Sequence, residues 1–255
     1  MAFSIDPERR DQPLKFYIGP KDFDQLAVVN RDLVRTINFG MWNWIIVPLL
    51  QFLKWINRFV GNYGWSIIIL TIIINAIMFP LRHKSVVSMR KMQDAQPEVK
   101  AIQDRYKNMK MSDPARGKMN QEMMELYKSR GVNPASGCVP MLLTLPVLFA
   151  FYSMLSVAIE LRGAPFILQI HDLSARDPLY IWPVLMGVTM FVQQKMTPVQ
   201  VDPAQARMML IMMPLMMTVV SYSFPSGLVL YWMMSNVLAI AQQLWTGRHL
   251  KAAAS

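Results

Sequence analysis

The sequence has a single cysteine, Cys138, and only three histidines in 255 residues. One cysteine cannot form an internal disulfide, so a disulfide framework is excluded, as is a zinc site built from four cysteines. The histidines are too scattered along the chain to have metal-ligand spacing. Charged residues make up only 16% of the chain, against 53% hydrophobic residues. These proportions exclude an ordinary soluble globular domain and indicate a membrane protein.

Five stretches contain no Asp, Glu, Lys, Arg or His and approach the roughly 20 residues that a helix needs to cross a bilayer. They predict five transmembrane helices, several of them at the short limit for a crossing. The stretches are Trp65 to Leu81, Val139 to Ile159, Leu179 to Gln194, Met208 to Phe224 and Gly227 to Trp245.

Basic residues are distributed unevenly between the connections. The segment 82–137 holds twelve Lys and Arg residues, whereas 160–178 holds two. By the positive-inside rule, the first segment is cytoplasmic. The amino terminus is then outside and the carboxyl terminus inside.

Residues 1–43 contain strand-like pieces from Phe16 to Asn30. We interpret them as the remnant of an outside domain whose export anchor is expected upstream.

Residues 44–60, before the first predicted span, have the pattern of an amphipathic helix. Gln51, Lys54 and Arg58 lie opposite an apolar face. We predict an interfacial helix on the outer side of the membrane. The alternative is a short extra span, which would require partners within lipid for the two basic residues. The predicted apolar face consists of Ile45, Leu49, Phe52, Leu53, Ile56 and Phe59.

The basic segment 82–137 has no long apolar run, but its apolar residues recur at helical spacings. It predicts an antiparallel helical hairpin that turns near Lys110 to Asp113 and ends at Gly131. The basic residues are typical of a solvated helix face. The methionines at helical spacings in this hairpin are Met92, Met109, Met119 and Met123.

The predicted spans lack the side chains on which intramembrane chemistry depends. A hydrolase requires a nucleophile with a base, an aspartate pair or a metal. An ion-coupled transporter normally keeps ionisable groups within its spans. We therefore expect neither class, and we expect no metal and no cofactor.

Uncharged polar residues are distributed through the spans instead. Thr71, Asn75 and Arg82 share one helical face, which leads from two polar groups at mid-span to a cation at the cytoplasmic end. Such a face predicts a partly hydrated groove that opens to the cytoplasm. Each polar residue alone is also typical of a hydrogen bond between helices. Polar residues in other spans include Thr144, Tyr231 and Ser235.

Methionines are concentrated in the fourth predicted span, with six between Met208 and Met217. Flexible thioethers suit a surface that accepts many different apolar segments. The alternative interpretation is that they simply face lipid.

Six ordered motifs lie between Phe16 and Trp245. They are Phe-Tyr-Ile-Gly-Pro-Lys-Asp from Phe16, Asn-Pro-x-x-Gly-Cys-x-Pro from Asn133, Leu-Arg-x-Ala-Pro-Phe from Leu161, Ile-His-Asp-Leu-Ser-Ala from Ile170, Met-Gly-Val-Thr-Met-Phe from Met186 and Phe-Pro-Ser-Gly-Leu-Val-Leu-Tyr from Phe224. Over about nine-tenths of the chain, these residues resemble the YidC/Oxa/Alb family of membrane protein insertases in its Gram-negative bacterial form.

The resemblance implies an all-α membrane protein of the bacterial inner membrane, with a five-transmembrane-helix insertase core, an interfacial amphipathic helix and a cytoplasmic helical hairpin. Residues 1–43 would be the remnant of a periplasmic domain, and the chain would be truncated at its N-terminus. The expected order is then 44–60 interfacial helix, 65–81 first span, 82–137 hairpin, and 138–255 four further spans with short loops and a cytoplasmic tail.

The same resemblance implies an insertase and chaperone that admits hydrophilic parts of nascent membrane proteins into a groove, without catalysis or cofactor. The implied groove residues are Thr71, Asn75, Arg82, Thr144, Tyr231, Trp232 and Ser235. The implied surface along which an apolar segment slides into lipid includes Leu145, Met209, Met213 and Met216. Implied partners are nascent membrane proteins, the Sec translocon, the ribosome with its targeting machinery, and the lipid bilayer. No sequence-specific nucleic acid binding is expected, and one groove per chain suggests that a monomer suffices.

One position departs from the family pattern. The family places an arginine in the first core span, where this chain has Asn75. Arg82 lies about 10 Å further along the helix, so we expect it to be too distant to replace that arginine fully.

Two alternatives to an insertase stay open from the sequence. A passive pore or small-molecule transporter would conduct without substrate, and a structural subunit of the translocon would not insert proteins by itself.

Overall fold

The structure is a computed structural model that describes residues 43–106, 115–131, 139–197 and 203–252, together with Gly19, Leu26, Val28 and Val29. The chain divides into two compact units, Met1–Asn38 and Phe39–Ser255. In the first unit, Leu26, Val28 and Val29 are helical, so the prediction of strand-like pieces is wrong at these residues. The following description concerns the second unit.

The described residues of the second unit form helices joined by turns and loops, with no strand among them. The prediction of an all-α fold is therefore confirmed. The α-helices are α1 (Asn43–Val60), α2 (Tyr63–Asp94), α3 (Gln96–Arg105), α4 (Ala115–Ser129), α5 (Val139–Val157), α6 (Ile181–Met196), α7 (Pro203–Ser221) and α8 (Ser226–Ala252), and a short 3-10 helix covers Ile159–Leu161.

Five of these helices, α2 and α5 to α8, overlap the five predicted spans, although the predicted bounds extend two or three residues beyond α5, α6 and α7. Within the described residues, Tyr63–Asp94 and Ser226–Arg248 are long and apolar enough to cross a membrane by length and composition. Leu145–Leu155 and Gln205–Ser221 are shorter apolar helical segments. Helix α2 does not end after Leu81 as the predicted boundary suggested, but continues to Asp94 because no helix-breaking signal follows the internal Pro80.

The buried face of helix α1 coincides only in part with the predicted apolar face, at Leu53 and Ile56. The buried side chains are Ile46, Leu50, Leu53 and Ile56, which follow helical spacing and face α2 and α5. Phe52 and Phe59, predicted to be on the apolar face, are 37% and 75% exposed. The other predicted residues are not buried because the apolar part of α1 is wider than the face that packs on the bundle, and hydropathy alone does not distinguish a protein-facing stripe from a lipid-facing one.

The junction between α1 and α2 is a tight turn. Gly61 follows α1 with a φ of +69°, a conformation that glycine adopts without steric cost. Asn62 then caps α2, because its Oδ1 accepts hydrogen bonds from the backbone N–H groups of Gly64 and Trp65 at 2.9 and 3.3 Å. The sequence predicts that the amphipathic helix ends at this Gly-Asn turn, and the bounds of α1 and α2 agree with that prediction.

Helices α3 and α4 form the two arms of a hairpin. Val99 and Ile102 are buried on α3, and Arg105 pairs with Glu122 at 2.8 Å across the two arms. A second cross-arm pair joins Glu98 to Arg130. Gly131 follows α4 with a φ of +63°. The predicted turn near Lys110 to Asp113, and with it Met109, lies outside the described residues.

The remaining helices pack around α8, which contacts α2 and α6, while α7 packs against α6 and α5 against α1. Phe151 of α5 stacks on Tyr231 of α8, with ring centroids 4.0 Å apart. Gly187 lets α6 and α7 approach closely, because a Cβ at this position would lie 1.9 Å from Thr218 Oγ1. The result is a helical bundle with a hairpin at one end and α1 at the other.

Candidate functional site: a cavity between the helices

A cavity of about 350 Å³ lies in the hairpin-side half of the bundle. It is partly open and is bounded by residues of α2, α5, α6, α7 and α8. Its lining mixes apolar side chains with uncharged amides, hydroxyls and one arginine. The polar lining residues are Arg82, Gln193, Thr197, Tyr231, Ser235, Asn236, Gln242 and Gln243, and Trp232, Leu145 and Met213 are among the others.

Arg82 supplies the cationic part of the lining. Its Nη1 donates a hydrogen bond to Asn75 Oδ1, so the guanidinium group folds back along α2 toward the bundle centre. The guanidinium group therefore reaches Asn75, and the expectation that Arg82 cannot fully replace the family arginine stays a prediction. The rise between the two Cα positions is about 10 Å, but the long arginine side chain spans most of it.

Thr71 does not reach the cavity. Its side chain is 0% exposed, and its hydroxyl donates to the carbonyl of Ile67 at 2.7 Å. Asn75 is half-buried and links Thr71 to Arg82. Its Nδ2 donates to the Thr71 carbonyl at 2.7 Å, and its Oδ1 accepts from Arg82. The polar face predicted on α2 therefore consists of a packed part at Thr71 and an accessible part at Arg82.

Helices α6 and α8 form an amide-rich wall opposite Arg82. Gln243 Nε2 donates to Thr197 Oγ1 at 2.8 Å, and Asn236 Nδ2 donates to Thr189 Oγ1 at 3.4 Å. Asn236 and Gln243 are 6% and 8% exposed. Gln243 was not predicted as a site residue, whereas Asn236 was among the uncharged polar residues of the predicted spans. The available signal was their spacing of seven residues, which puts both on one face of α8.

The apolar side of the cavity is formed by α5 and α7. Leu145 and Met213, both predicted for the sliding surface, line it. The outer face of α7 is extensively exposed: Met208, Met212 and Met216 are 65%, 55% and 51% exposed. Met209 is half-buried. Thr144 belongs to α5, but its side chain lies outside the described residues.

Apart from Thr144, Met109 and the exposed face of α7, the predicted site residues fall into three groups. The cavity brings together Arg82, Leu145, Met213, Tyr231, Trp232 and Ser235. Thr71 is separated from it by packing, and Asn75 reaches it only through Arg82. The hairpin methionines Met92, Met119 and Met123 belong to α2 and α4, where Met92 is buried at 3% exposure and the other two are half-buried.

The α1-side half of the bundle is organised differently. Lys54 of α1 forms an ion pair with Glu160, and their side chains are only 13% and 9% exposed. Asp177, 2% exposed, accepts hydrogen bonds from the backbone N–H groups of Leu179 and Trp182 at the start of α6. Both carboxylates tie a connecting segment to a helix, Glu160 to the interior of α1 and Asp177 to the start of α6.

The cavity offers hydrogen bonding, one positive charge and an apolar margin. Among the described residues, no group of three or more His, Cys, Asp and Glu residues is arranged to hold a metal ion. Such a lining is suited to reversible binding of a segment with both polar and apolar parts.

The helices and cavity together define an all-α membrane protein with a partly open, partly polar cavity in its hairpin-side half. The 60Kd inner membrane protein family model matches residues 55–253. The chain belongs to this family and is an inner membrane protein.

Individual relatives agree with this assignment, and the predicted resemblance to the YidC/Oxa/Alb family is confirmed. The membrane protein insertase YidC of Geobacter sulfurreducens is 47% identical over 251 residues, which are 98% of this chain and 46% of that protein. That of Syntrophus aciditrophicus is 48% identical over 235 residues, 92% of this chain and 42% of that protein. This chain therefore spans about half the length of these relatives.

A solved structure is similar as well. It is a crystal structure of an active YidC insertase with the first transmembrane domain resolved. The match has a TM-score of 0.60 and 27% sequence identity, and covers 84% of this chain and 49% of that one.

Proposed function

We propose that this chain is a membrane protein insertase and chaperone, which binds polar parts of a client in the cavity while the client's apolar segment moves into lipid. The observation that carries the proposal is the cavity of about 350 Å³ with Arg82 and several amides in its lining, inside an otherwise apolar bundle. The names of the relatives support the same activity.

The physical gain is a lower cost of desolvation. A backbone polar group without a hydrogen-bond partner in hydrocarbon costs several kcal/mol. A cavity with hydrogen-bonding side chains offers such groups partners before they cross. Because no energy source is required to relieve this cost, the activity is independent of nucleotide hydrolysis.

We further propose that the hairpin and the carboxyl terminus are cytoplasmic and that residues 1–43 are periplasmic. The twelve basic residues of segment 82–137 support this orientation. The cavity then opens on the cytoplasmic side, where a nascent client arrives. On the opposite side, packing around the 0% exposed Thr71 supports a closed end.

Arg82 is the proposed groove cation that receives acidic client residues. Its hydrogen bond to Asn75 holds the guanidinium group near the position at which other family members carry the charge. The exposed methionine face of α7, together with Leu145, is the proposed sliding surface. Its flexible thioethers suit clients of varied shape.

Partners follow from this function. We propose that the α3/α4 hairpin, with Met119 and Met123, receives clients at the cytoplasmic surface. The Sec translocon and the ribosome with its targeting machinery are proposed partners in that step, and a monomer with one cavity is the proposed working unit.

The test is reconstitution of the purified chain into liposomes with a short one-span client and protease protection as the readout. Protection of the translocated tail is expected with the chain and not with empty liposomes. Ion conductance without a client would instead indicate a passive pore, and absence of protection with the purified chain would indicate a structural subunit.

A further inference from the structure

A second cavity, of about 280 Å³, lies at the α1-side end of the bundle. It is bounded by the end of α5, the loop that follows the 3-10 helix and the turn between α7 and α8. Tyr152, Arg162, Ser174 and Ser223 belong to its lining. One cation and three residues with hydroxyl groups therefore border a space that the proposed insertion steps do not use.

Arg162 carries the charge of this second cavity. It is exposed, and among the described residues it forms no ion pair. The carboxylate of Asp172 in the same loop is engaged elsewhere, because its Oδ1 accepts from the backbone N–H and the hydroxyl of Ser174 at 2.8 and 2.7 Å. The positive charge of Arg162 is therefore available to an anion.

The hydroxyl groups of the lining differ in what they can donate. Ser174 gives its one hydroxyl proton to Asp172, so this hydroxyl can only accept a further hydrogen bond. Ser223 is exposed in the turn after α7, and its hydroxyl has no partner among the described residues. Arg162 and Ser223 thus offer N–H and O–H donors to one cavity, which suits the oxygens of a phosphate group.

The second cavity lies where α5 and α7 are separated. Within the described part of the chain, α5 packs against α1, α2 and α8, and α7 packs against α6, without extensive contact between α5 and α7. Tyr152 and Phe224 bridge this separation at the α1-side end, with ring centroids 6.1 Å apart. Further along the two helices, Phe149, Leu215 and Val219 are each more than half exposed. A ligand in the cavity can therefore extend an apolar part along α5 and α7.

Aromatic residues at the same end of the bundle indicate the depth of the cavity in a bilayer. Tyr and Trp are enriched where spanning helices meet the membrane–water interface. Tyr180 and Tyr222 flank α6 and α7 with ring centroids 4.9 Å apart, and Trp65 lies in the first turn of α2. The second cavity is therefore at the level of lipid headgroups, where a phosphate remains hydrated and need not enter hydrocarbon.

We propose that the second cavity binds the phosphate group of a phospholipid from the leaflet on the α1 side, with the acyl chains along α5 and α7. Arg162 and Ser223 donate to the phosphate oxygens. A free phosphate ion would gain nothing from the apolar surface beside the cavity. An acidic peptide tail with several carboxylates would find no second cation in its described lining. The inference goes beyond the proposed insertase function, because it concerns lipid and requires only that the bundle spans a bilayer.

The experiment measures contact with lipid in the absence of a client. The purified 255-residue chain in a nonionic detergent receives a trace of one of two photoreactive lipids. One is a phosphatidylglycerol, and the other is the diacylglycerol with the same chains; both carry a diazirine next to the glycerol. Mass spectrometry then measures the labelling of peptides that contain Tyr152 or Phe224. Because only the first probe has a phosphate, we expect it to label about tenfold more strongly.

Variants assign this difference to the two donors. Arg162→Gln should reduce labelling by phosphatidylglycerol to the level of the diacylglycerol, whereas Arg162→Lys should retain most of it because the charge is kept. Ser223→Ala should reduce labelling about threefold, since one neutral donor is lost. Arg176→Gln is the matched control, because Arg176 is an exposed arginine of the same loop that does not line the cavity. It should leave the labelling unchanged.

Competition identifies the source of the phosphate. Unlabelled phosphatidylglycerol should displace the probe, and glycerol 3-phosphate at the same concentration should not. Equal labelling by the two lipids would overturn the site, as would a loss in Arg176→Gln equal to that in Arg162→Gln. Equal displacement by glycerol 3-phosphate would indicate a free-phosphate site, and stronger displacement by an Asp-rich peptide a site for client tails. Either result would overturn the assignment to a phospholipid. Because no client is present, these results are independent of the protease-protection test of the proposed function.

Discussion

The two halves of the helical bundle treat buried polar groups in opposite ways. In the α1-side half, Lys54 pairs with Glu160, and the carboxylate of Asp177 accepts from backbone N–H groups at the start of α6. In the hairpin-side half, Arg82, Gln193 and Gln242 line a partly open cavity. Buried paired groups join elements to each other, while polar side chains that border open space are available to a ligand. The comparison teaches that polarity inside a membrane protein indicates a binding site where the polar side chains border such a space.

The largest expected effect is loss of the ion pair in the α1-side half. Lys54→Ala leaves Glu160 buried without its cation, which typically costs about 3 to 5 kcal/mol. Thermal unfolding in detergent should show a clear decrease in melting temperature. The exposed Arg58 on the same helix provides the control Arg58→Ala, which should change little.

The double variant Lys54→Met, Glu160→Leu sharpens this test. Because it replaces both charges with apolar groups, it should recover most of the lost stability. An unchanged melting temperature in Lys54→Ala would show that the pair does not join α1 to the bundle.

A smaller effect is expected at the contact between α6 and α7. Gly187→Ala introduces a Cβ 1.9 Å from Thr218 Oγ1, so the helices must separate or the threonine must move. Such overpacking costs about 1 to 3 kcal/mol. Adding Thr218→Ala should restore stability, as measured by thermal unfolding. A double variant as unstable as Gly187→Ala would mean that backbone contacts rather than this hydroxyl limit the approach.

In the hairpin-side half, the charge of Arg82 can be moved along α2. Arg82→Gln should reduce crosslinking to clients with acidic tails about tenfold and leave uncharged tails unaffected, because only the cation is lost. Asn75→Arg in the same chain should restore the crosslinking, and Asn75→Arg alone should increase it. Arg207→Gln, at an exposed site on α7, is the control. Equal losses for acidic and uncharged tails would contradict a charge-specific role.

The smallest expected effect is a pH dependence in the loop of the α1-side half. Burial raises the pKa of Asp172, but hydrogen bonds from the side chain and backbone of Ser174 and from the backbone N–H groups of Gly163 and Ala175 outweigh it, so the pKa is below its ordinary value. A lowered pKa contributes stability above the unfolded-state pKa of about 3.9 and loses it as pH falls through the folded-state value.

Asp172→Asn should therefore show a shallower decrease in melting temperature between about pH 5 and pH 3 than the unmodified chain. Asp104→Asn, at an exposed position on α3, controls for removal of one carboxylate. Parallel curves for Asp172→Asn and the unmodified chain would assign the acid sensitivity to other groups.

The sequence predicted the helices well because their signals are local. Charge-free stretches of sufficient length identified α2 and α5 to α8, and the Gly-Asn turn marked the end of α1. The prediction failed where the choice depended on neighbours. Only part of the predicted apolar face of α1 is buried, because the apolar part of this helix is wider than the face that packs on the bundle. Thr71 was placed in the groove because periodicity does not show which residues of a polar face are covered.

The candidate site was predicted only in part, again because sequence patterns do not show contacts between helices. Arg82, Tyr231 and Ser235 were identified from their own polarity or position in motifs, and all three line the cavity. Gln243 and Thr197 were not predicted as site residues, because they meet through a hydrogen bond between positions 46 residues apart in the chain.

Composition and hydropathy by themselves determined that this chain is an all-α membrane protein with a basic hairpin, because the cost of exposing backbone and charge to lipid applies to each segment separately. Only the tertiary structure decided which polar groups are paired and which remain accessible. Lys54 meets Glu160, and Thr197 orients Gln243, through contacts between helices that are distant in the chain. Those pairings depend on how the helices pack, and side-chain periodicity within a single helix carries no information about its partner.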